Sequence, residues 1–166
     1  MSRLPLAVLV AALLLGACRD DAPPRTATRD QLEQLLASGL GFTRPEADCL
    51  ADKIVPSLGE SGMQELGLQD GSTGVSPRVA TALVDAFEHC ADVSIAGAKW
   101  ITAPFDVSSG SVQCLGEAVD DATMREFLEA AFEDPESADS PAVFDVGVAM
   151  QRCLTVAELT DMAQSG

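Results

Sequence analysis

The sequence predicts an all-α fold, a disulfide-stapled helical bundle of about seven helices built from two similar units. Three observations carry that prediction. Apolar residues recur at helical spacing, while β-branched residues are scattered and do not alternate as in strands. Helix starts are marked by capping residues: Thr43 with Glu46, Ser76-Pro77, Ser140-Pro141, and Thr155 with Glu158. Finally, Cys49 to Cys90 is a step of 41 residues and Cys114 to Cys153 a step of 39, and the same succession of features fills both.

Residues 29–38 form the first expected helix, with Leu32, Leu35 and Leu36 on one stripe and Gly39 as its stop. The Thr43/Glu46 capping box opens a second helix, running through Cys49 to about Pro56, with Ala47, Leu50, Ala51, Ile54 and Leu58 on its apolar side. A short helix over 60–66 follows, then a loop over 69–75. Ser76 as N-cap and Pro77 at the first helical position open a long helix to about Ala91, bearing Val79, Leu83, Phe87 and Cys90.

The second half repeats this order. Cys114-Leu115 begins a helix with Ala118, Val119 and Ala122, and Met124, Phe127, Leu128, Ala131 and Phe132 trace an amphipathic one. An acidic loop over 135–139 leads to Ser140-Pro141. The helix behind it carries Val143, Phe144, Val146, Val148 and Met150, is apolar almost all round, and is therefore expected to be buried before it ends at Cys153. Thr155 and Glu158 cap a last helix bearing Val156, Leu159 and Met162. The units are placed at about 43–91 and 108–154 within a helical domain over 29–166, with a core shared around the 142–153 and 77–91 helices.

Residues 1–17 have the form of an export signal: Arg3, then an apolar run from Leu4 to Ala17 that is too short to span a bilayer, which takes roughly 20 residues. Leu15-Gly16-Ala17-Cys18 resembles the lipobox of bacterial lipoproteins. That resemblance implies cleavage before Cys18, diacylglycerol on its sulfur and an acyl chain such as palmitate on its amino group. It also implies a cell-membrane location, lipid-anchored on the extracytoplasmic side. The two prolines in 18–28 mark a flexible tether. The exported part is similar to bacterial lipoproteins with paired-cysteine helical repeats, a likeness that transfers no site residues.

Lipidation of Cys18 leaves an even set, Cys49, Cys90, Cys114 and Cys153, for which three connectivities are open. In a hairpin of antiparallel helices the start of the first lies beside the end of the last, so Cys49–Cys90 and Cys114–Cys153 are predicted, with pairing between units as the alternative. Each closes a loop of about 40 residues, worth roughly 3 to 4 kcal/mol in the chain-entropy model.

The chain carries a net charge of −16, and the part after residue 17 keeps nine of the ten Lys and Arg residues and all 26 acidic ones, a net charge of −17. That charge disfavours nucleic acid and anionic headgroups as partners. No Cys-x-x-Cys occurs, and the single histidine, His89, adjoins Cys90, so their side chains diverge by about 100° on a helix. No metal or cofactor motif is present, and the Asp70–Gly74 turn lacks the lysine of a phosphate loop. Asp120-Asp121 and the Glu133, Asp134, Glu136, Asp139 cluster read as a solvated face. Trp100 and Phe105, between the units, are candidates for contact with a ligand or partner, the other role being a core plug. The expectation is therefore a membrane-anchored, non-enzymatic helical interaction domain engaging an envelope protein; the alternative is a carrier of a small apolar ligand in a cavity between the units.

Overall fold

The computed structural model describes residues 29–67, 74–134 and 140–165, and these form eight α-helices with no strand among them. The export signal, Cys18, the tether, most of the 69–75 loop and the 135–139 loop lie outside the described residues.

Helix α1 (Arg29–Gly39) buries Leu36 and packs along α2 (Arg44–Gly67). Arg29 ties the two helices together by bonding Asp52 at 2.7 Å and Asp48. Gly41, at φ 69°, makes the turn between them, a left-handed conformation that a side chain would strain. The capping box forms as expected: Thr43 N–H donates to Glu46 Oε2 at 2.7 Å and Glu46 N–H returns a bond to Thr43 Oγ1. Pro56 lies inside α2, and the break between its two helical segments falls at Gly59, where φ is 61°.

Helix α3 (Pro77–Cys90) buries Val79, Ala80, Leu83, Val84, Ala86 and Phe87. Ser76 holds the N-cap position, but its hydroxyl does not cap the helix. Ser76 Oγ instead donates to Glu65 Oε2 at 3.1 Å and its N–H to Glu65 Oε1, fastening α3 to the end of α2.

No helix is expected between the units, over 92–107, yet residues 93–102 form one, α4 (Val93–Thr102). Asp92 caps it by accepting from Ile95 N–H at 3.0 Å. Its hidden face is Val93, Ser94, Ala96, Gly97, Ala98 and Thr102, small in its middle, so it shows no stripe of large apolar side chains. Close approach is the reason for their size. A Cβ on Gly97 would sit 2.4 Å from Met124 Sδ, and one on Gly116 would sit 3.0 Å from Ile95 Cα.

Helix α5 (Ser109–Ala118) begins five residues before the expected Cys114 start, capped by Ser108 accepting from Ser111 N–H at 3.2 Å. Cys114 is thus the sixth residue of its helix, as Cys49 is of α2. The chain breaks at Val119, and Asp120 caps α6 (Asp121–Glu133) through Thr123 N–H at 3.0 Å. Ser140 caps α7 (Pro141–Cys153), and α8 (Val156–Ser165) follows Thr155. Helices α1, α4 and α8 start 64 and 63 residues apart, and Asp92 and Thr155 each follow a terminal cysteine by two residues.

Both disulfides form within a unit, Cys49–Cys90 and Cys114–Cys153, with Cα atoms 5.6 and 5.5 Å apart. The shared core differs from the expected one. Helices α3 and α6 pack face to face, whereas α7 lies on α5 and α6, so α6 stands between the two cysteine-ended helices. Leu50, Ile54, Leu58, Val79, Val84, Leu115, Met124, Leu128 and Val146 are the large side chains fully buried there. Burial all round α7 is also overturned. Ala142, Val146 and Ala149 are buried, but Phe144 is 72% exposed, because α5 and α6 cover one side of the helix only.

Candidate functional site

Two constellations of polar chemistry stand out, one interior and one in a cleft. The interior one is centred on Glu158, a buried carboxylate on α8. Glu158 Oε1 accepts from Ser108 N–H at 2.8 Å, Oε2 accepts from Thr155 N–H at 2.7 Å, and the hydroxyls of Ser111 and Thr155 donate to it as well. These donors, first the Ser108 and Thr155 N–H groups, hold its carboxyl down at about 2. Glu158 therefore caps two helix starts at once, that of its own α8 and that of α5. Its role is architectural. Every one of its partners favours the charged form, and a carboxylate so held is a poor proton donor or acceptor near neutrality.

Glu46 plays a related part at the head of α2. Burial pushes its carboxyl up, but the Thr43 N–H and Lys99 at 3.0 Å outweigh that and bring it below the usual carboxylate range. Because Lys99 belongs to α4, the ion pair joins the first unit to the helix that leads into the second. Lys99 Nζ also lies 5.1 Å from the Phe42 ring centre.

The cleft, about 250 Å³, opens between α2 and α3 and is lined by Lys53, Ser57, Ala82, Asp85, Ala86 and His89. Folding thus places a serine, the histidine and an aspartate around one depression, a grouping invisible in the sequence because Ser57 lies 32 residues from His89. The triad chemistry those residue types can perform requires serine to bond histidine and histidine to bond aspartate. No hydrogen bond joins the three, and Asp85 is occupied by Arg125 at 2.6 Å. Arg125 also bonds Glu88 at 2.5 Å and Glu129 at 3.1 Å, which raises its own pKa and spans α3 and α6.

Trp100 and Phe105 sit at the end of α4 and in the turn that follows it. Trp100 is half-buried and meets Phe132 edge-on at 4.9 Å. Phe132 continues to Phe87 at 6.3 Å and Phe87 to Phe42 at 5.8 Å, so the aromatic rings run as a chain through the junction between units. Phe105, also half-buried, closes the turn after α4 through its N–H to Thr102. The Asp120-Asp121 pair resolves into two duties: Asp120 caps α6 and is held below the usual range, first by the Thr123 N–H, while Asp121 accepts from Ser94 Oγ at 2.7 Å.

Among the described residues no group of three His, Cys, Asp or Glu side chains converges where a metal ion could be held. No helix among them is long and apolar enough to cross a membrane. Comparisons with protein-family models, with curated proteins and with solved structures found no match.

Proposed function

We propose that this chain is an exported, membrane-anchored lipoprotein whose helical domain is a non-enzymatic interaction module. The observation that carries the reading is the fate of the cysteines. Four of the five are consumed in two disulfides within the domain, which leaves Cys18 as the one cysteine outside a bridge, at the end of an apolar leader. An unbridged thiol is a liability in an oxidising compartment, and thioether formation with diacylglycerol removes it. Two or more acyl chains then hold the protein on the bilayer, at about 0.8 kcal/mol per buried methylene. Support for the second half of the reading lies in the acidic side chains, since Glu46, Asp85, Asp120, Asp121 and Glu158 are all engaged in capping or in ties between helices.

The test is fractionation and labelling of the full chain expressed in a bacterium fed a palmitate analogue. The wild-type protein is expected in the membrane fraction carrying label. Cys18→Ser is expected to lose the label and leave the membrane after washing in high salt. Label that persists on Cys18→Ser, or an unlabelled wild-type protein, overturns the proposal.

A further inference from the structure

The outer stripe of α7 has no helix over it among the described residues, and its composition is unusual for such a face. Pro141, Phe144, Val148 and Gln151 follow one another at spacings of three and four, with only Val148 half-buried. Phe144 is 72% exposed and Val156, at the start of α8 just past the end of the stripe, is 81% exposed. These two are the most exposed large apolar side chains of the described residues.

The other cysteine-ended helix shows what such a stripe does in this fold. Counted back from the terminal cysteines, Phe144, Val148 and Gln151 stand where Thr81, Asp85 and Glu88 stand on α3. On α3 that stripe is met by a helix: Arg125 of α6 bonds Asp85 at 2.6 Å and Glu88 at 2.5 Å. On α7 the two charged receivers are replaced by Val148 and Gln151, Phe144 stands in place of Thr81, and no described helix arrives.

We propose that this stripe is the interface of a homodimer, in which α7 of one copy packs antiparallel on α7 of a second copy about a twofold axis. Self-complementarity points to a second copy. Asp145 and Arg152 flank the stripe on the same side, seven residues apart, and neither has an ion-pair partner among the described residues. Residues a heptad apart occupy the same position on a helical seam, and an antiparallel twofold pair sets that position against itself. Each Asp145 then faces the partner's Arg152, twice over. The same reversal carries each Phe144 toward the far end of the opposite α7, where Val156 is exposed. Gly147, whose missing Cβ would meet nothing within 4 Å, leaves room beside Phe144 for the approach. The proposal uses only the described domain and stands whether or not Cys18 is lipidated.

Cross-linking tests it on the purified full chain in a Cys18→Ser background, so that one introduced cysteine is the only free thiol. Gln151→Cys treated with a short bismaleimide is expected to give a covalent dimer well above that of Thr81→Cys, an exposed control on the stripe of α3. Asp145→Arg alone and Arg152→Asp alone are each expected to cut the Gln151→Cys dimer several-fold by opposing like charges. Both swaps together are expected to restore it. Thr81, Asp145, Gln151 and Arg152 are all exposed, so the fold is not at stake. A Gln151→Cys yield no higher than the Thr81→Cys control overturns the proposal, as does a double swap that stays at the level of the single ones.

Discussion

Glu158 accepts a hydrogen bond from the backbone N–H of Ser108 at 2.8 Å, fifty residues earlier in the chain, while capping its own helix at Thr155. One carboxylate thus fixes the last helix to the head of the second unit's cysteine-bearing helix. Its folded value, about 2, lies below the 4.5 of a free glutamate side chain. A group shifted in that direction stabilises the fold fully above the unfolded value and loses that contribution as pH falls through the folded one. Glu158→Gln is therefore expected to lower the unfolding temperature most at neutral pH. The gap from wild type should shrink between about 4.5 and 2. Thermal unfolding followed by circular dichroism at several pH values checks this, and a gap that does not change with pH refutes it.

Gly116 and Ile95 set how closely α4 approaches α5. A Cβ on Gly116 would stand 2.3 Å from Ile95 Cδ1 and 3.0 Å from Ile95 Cα, so part of the conflict is with backbone that cannot turn aside. Gly116→Ala is expected to cost about 1–3 kcal/mol, the range for overpacked cores. Adding Ile95→Ala removes the Cδ1 contact but not the Cα one, so it should recover only part of the loss. Urea denaturation of the single and double variants measures the coupling.

Leu128 on α6 is fully buried, with its Cδ1 beside Gly97 of α4, whereas Leu35 on α1 is 46% exposed. Leu128→Ala is expected to cost about 2–5 kcal/mol through lost burial and the cavity left behind. Leu35→Ala should stay within about 0.5 kcal/mol of wild type. Equal losses at the two sites would mean that Leu128 is not part of the buried core.

The disulfides offer a fourth expectation. Replacing Cys114 and Cys153 together by alanine should cost roughly 3 to 4 kcal/mol, and the same holds for Cys49 with Cys90, since the closed loops are nearly equal in length. Non-reducing peptide maps of each variant should retain the other bridge intact. A scrambled bridge in either variant would show that the units do not fold their cysteines independently.

Much of this architecture is legible in the sequence because it is local. The Thr43/Glu46 box and the large apolar stripe of α3 act within a few residues, and cysteine parity together with hairpin geometry is enough to pair the bridges. Helix α4 is missed for a physical reason: the middle of its buried face is Ser94, Ala96, Gly97 and Ala98, suited to close approach and not to hydrophobic bulk. A faint signal did exist, since Asp92 follows Cys90 by the same two residues that separate Thr155 from Cys153. The error over α7 has another origin, because an apolar sequence reports what a helix could bury and not what stands opposite it. Nothing local could reveal the Glu158–Ser108 bond or bring Ser57, Asp85 and His89 to one cleft, for those are products of the assembled chain.

The two bridges divide the backbone into two covalent rings, 49–90 and 114–153, strung on an open thread. A single cut inside either ring leaves the halves of the molecule chemically joined. A cut between residues 91 and 113 severs them, and that thread is where α4 lies, its small residues pressed against α5 and α6. The chain therefore tolerates a nick within either ring and relies on packing alone to shield the one segment whose scission would part its two rings.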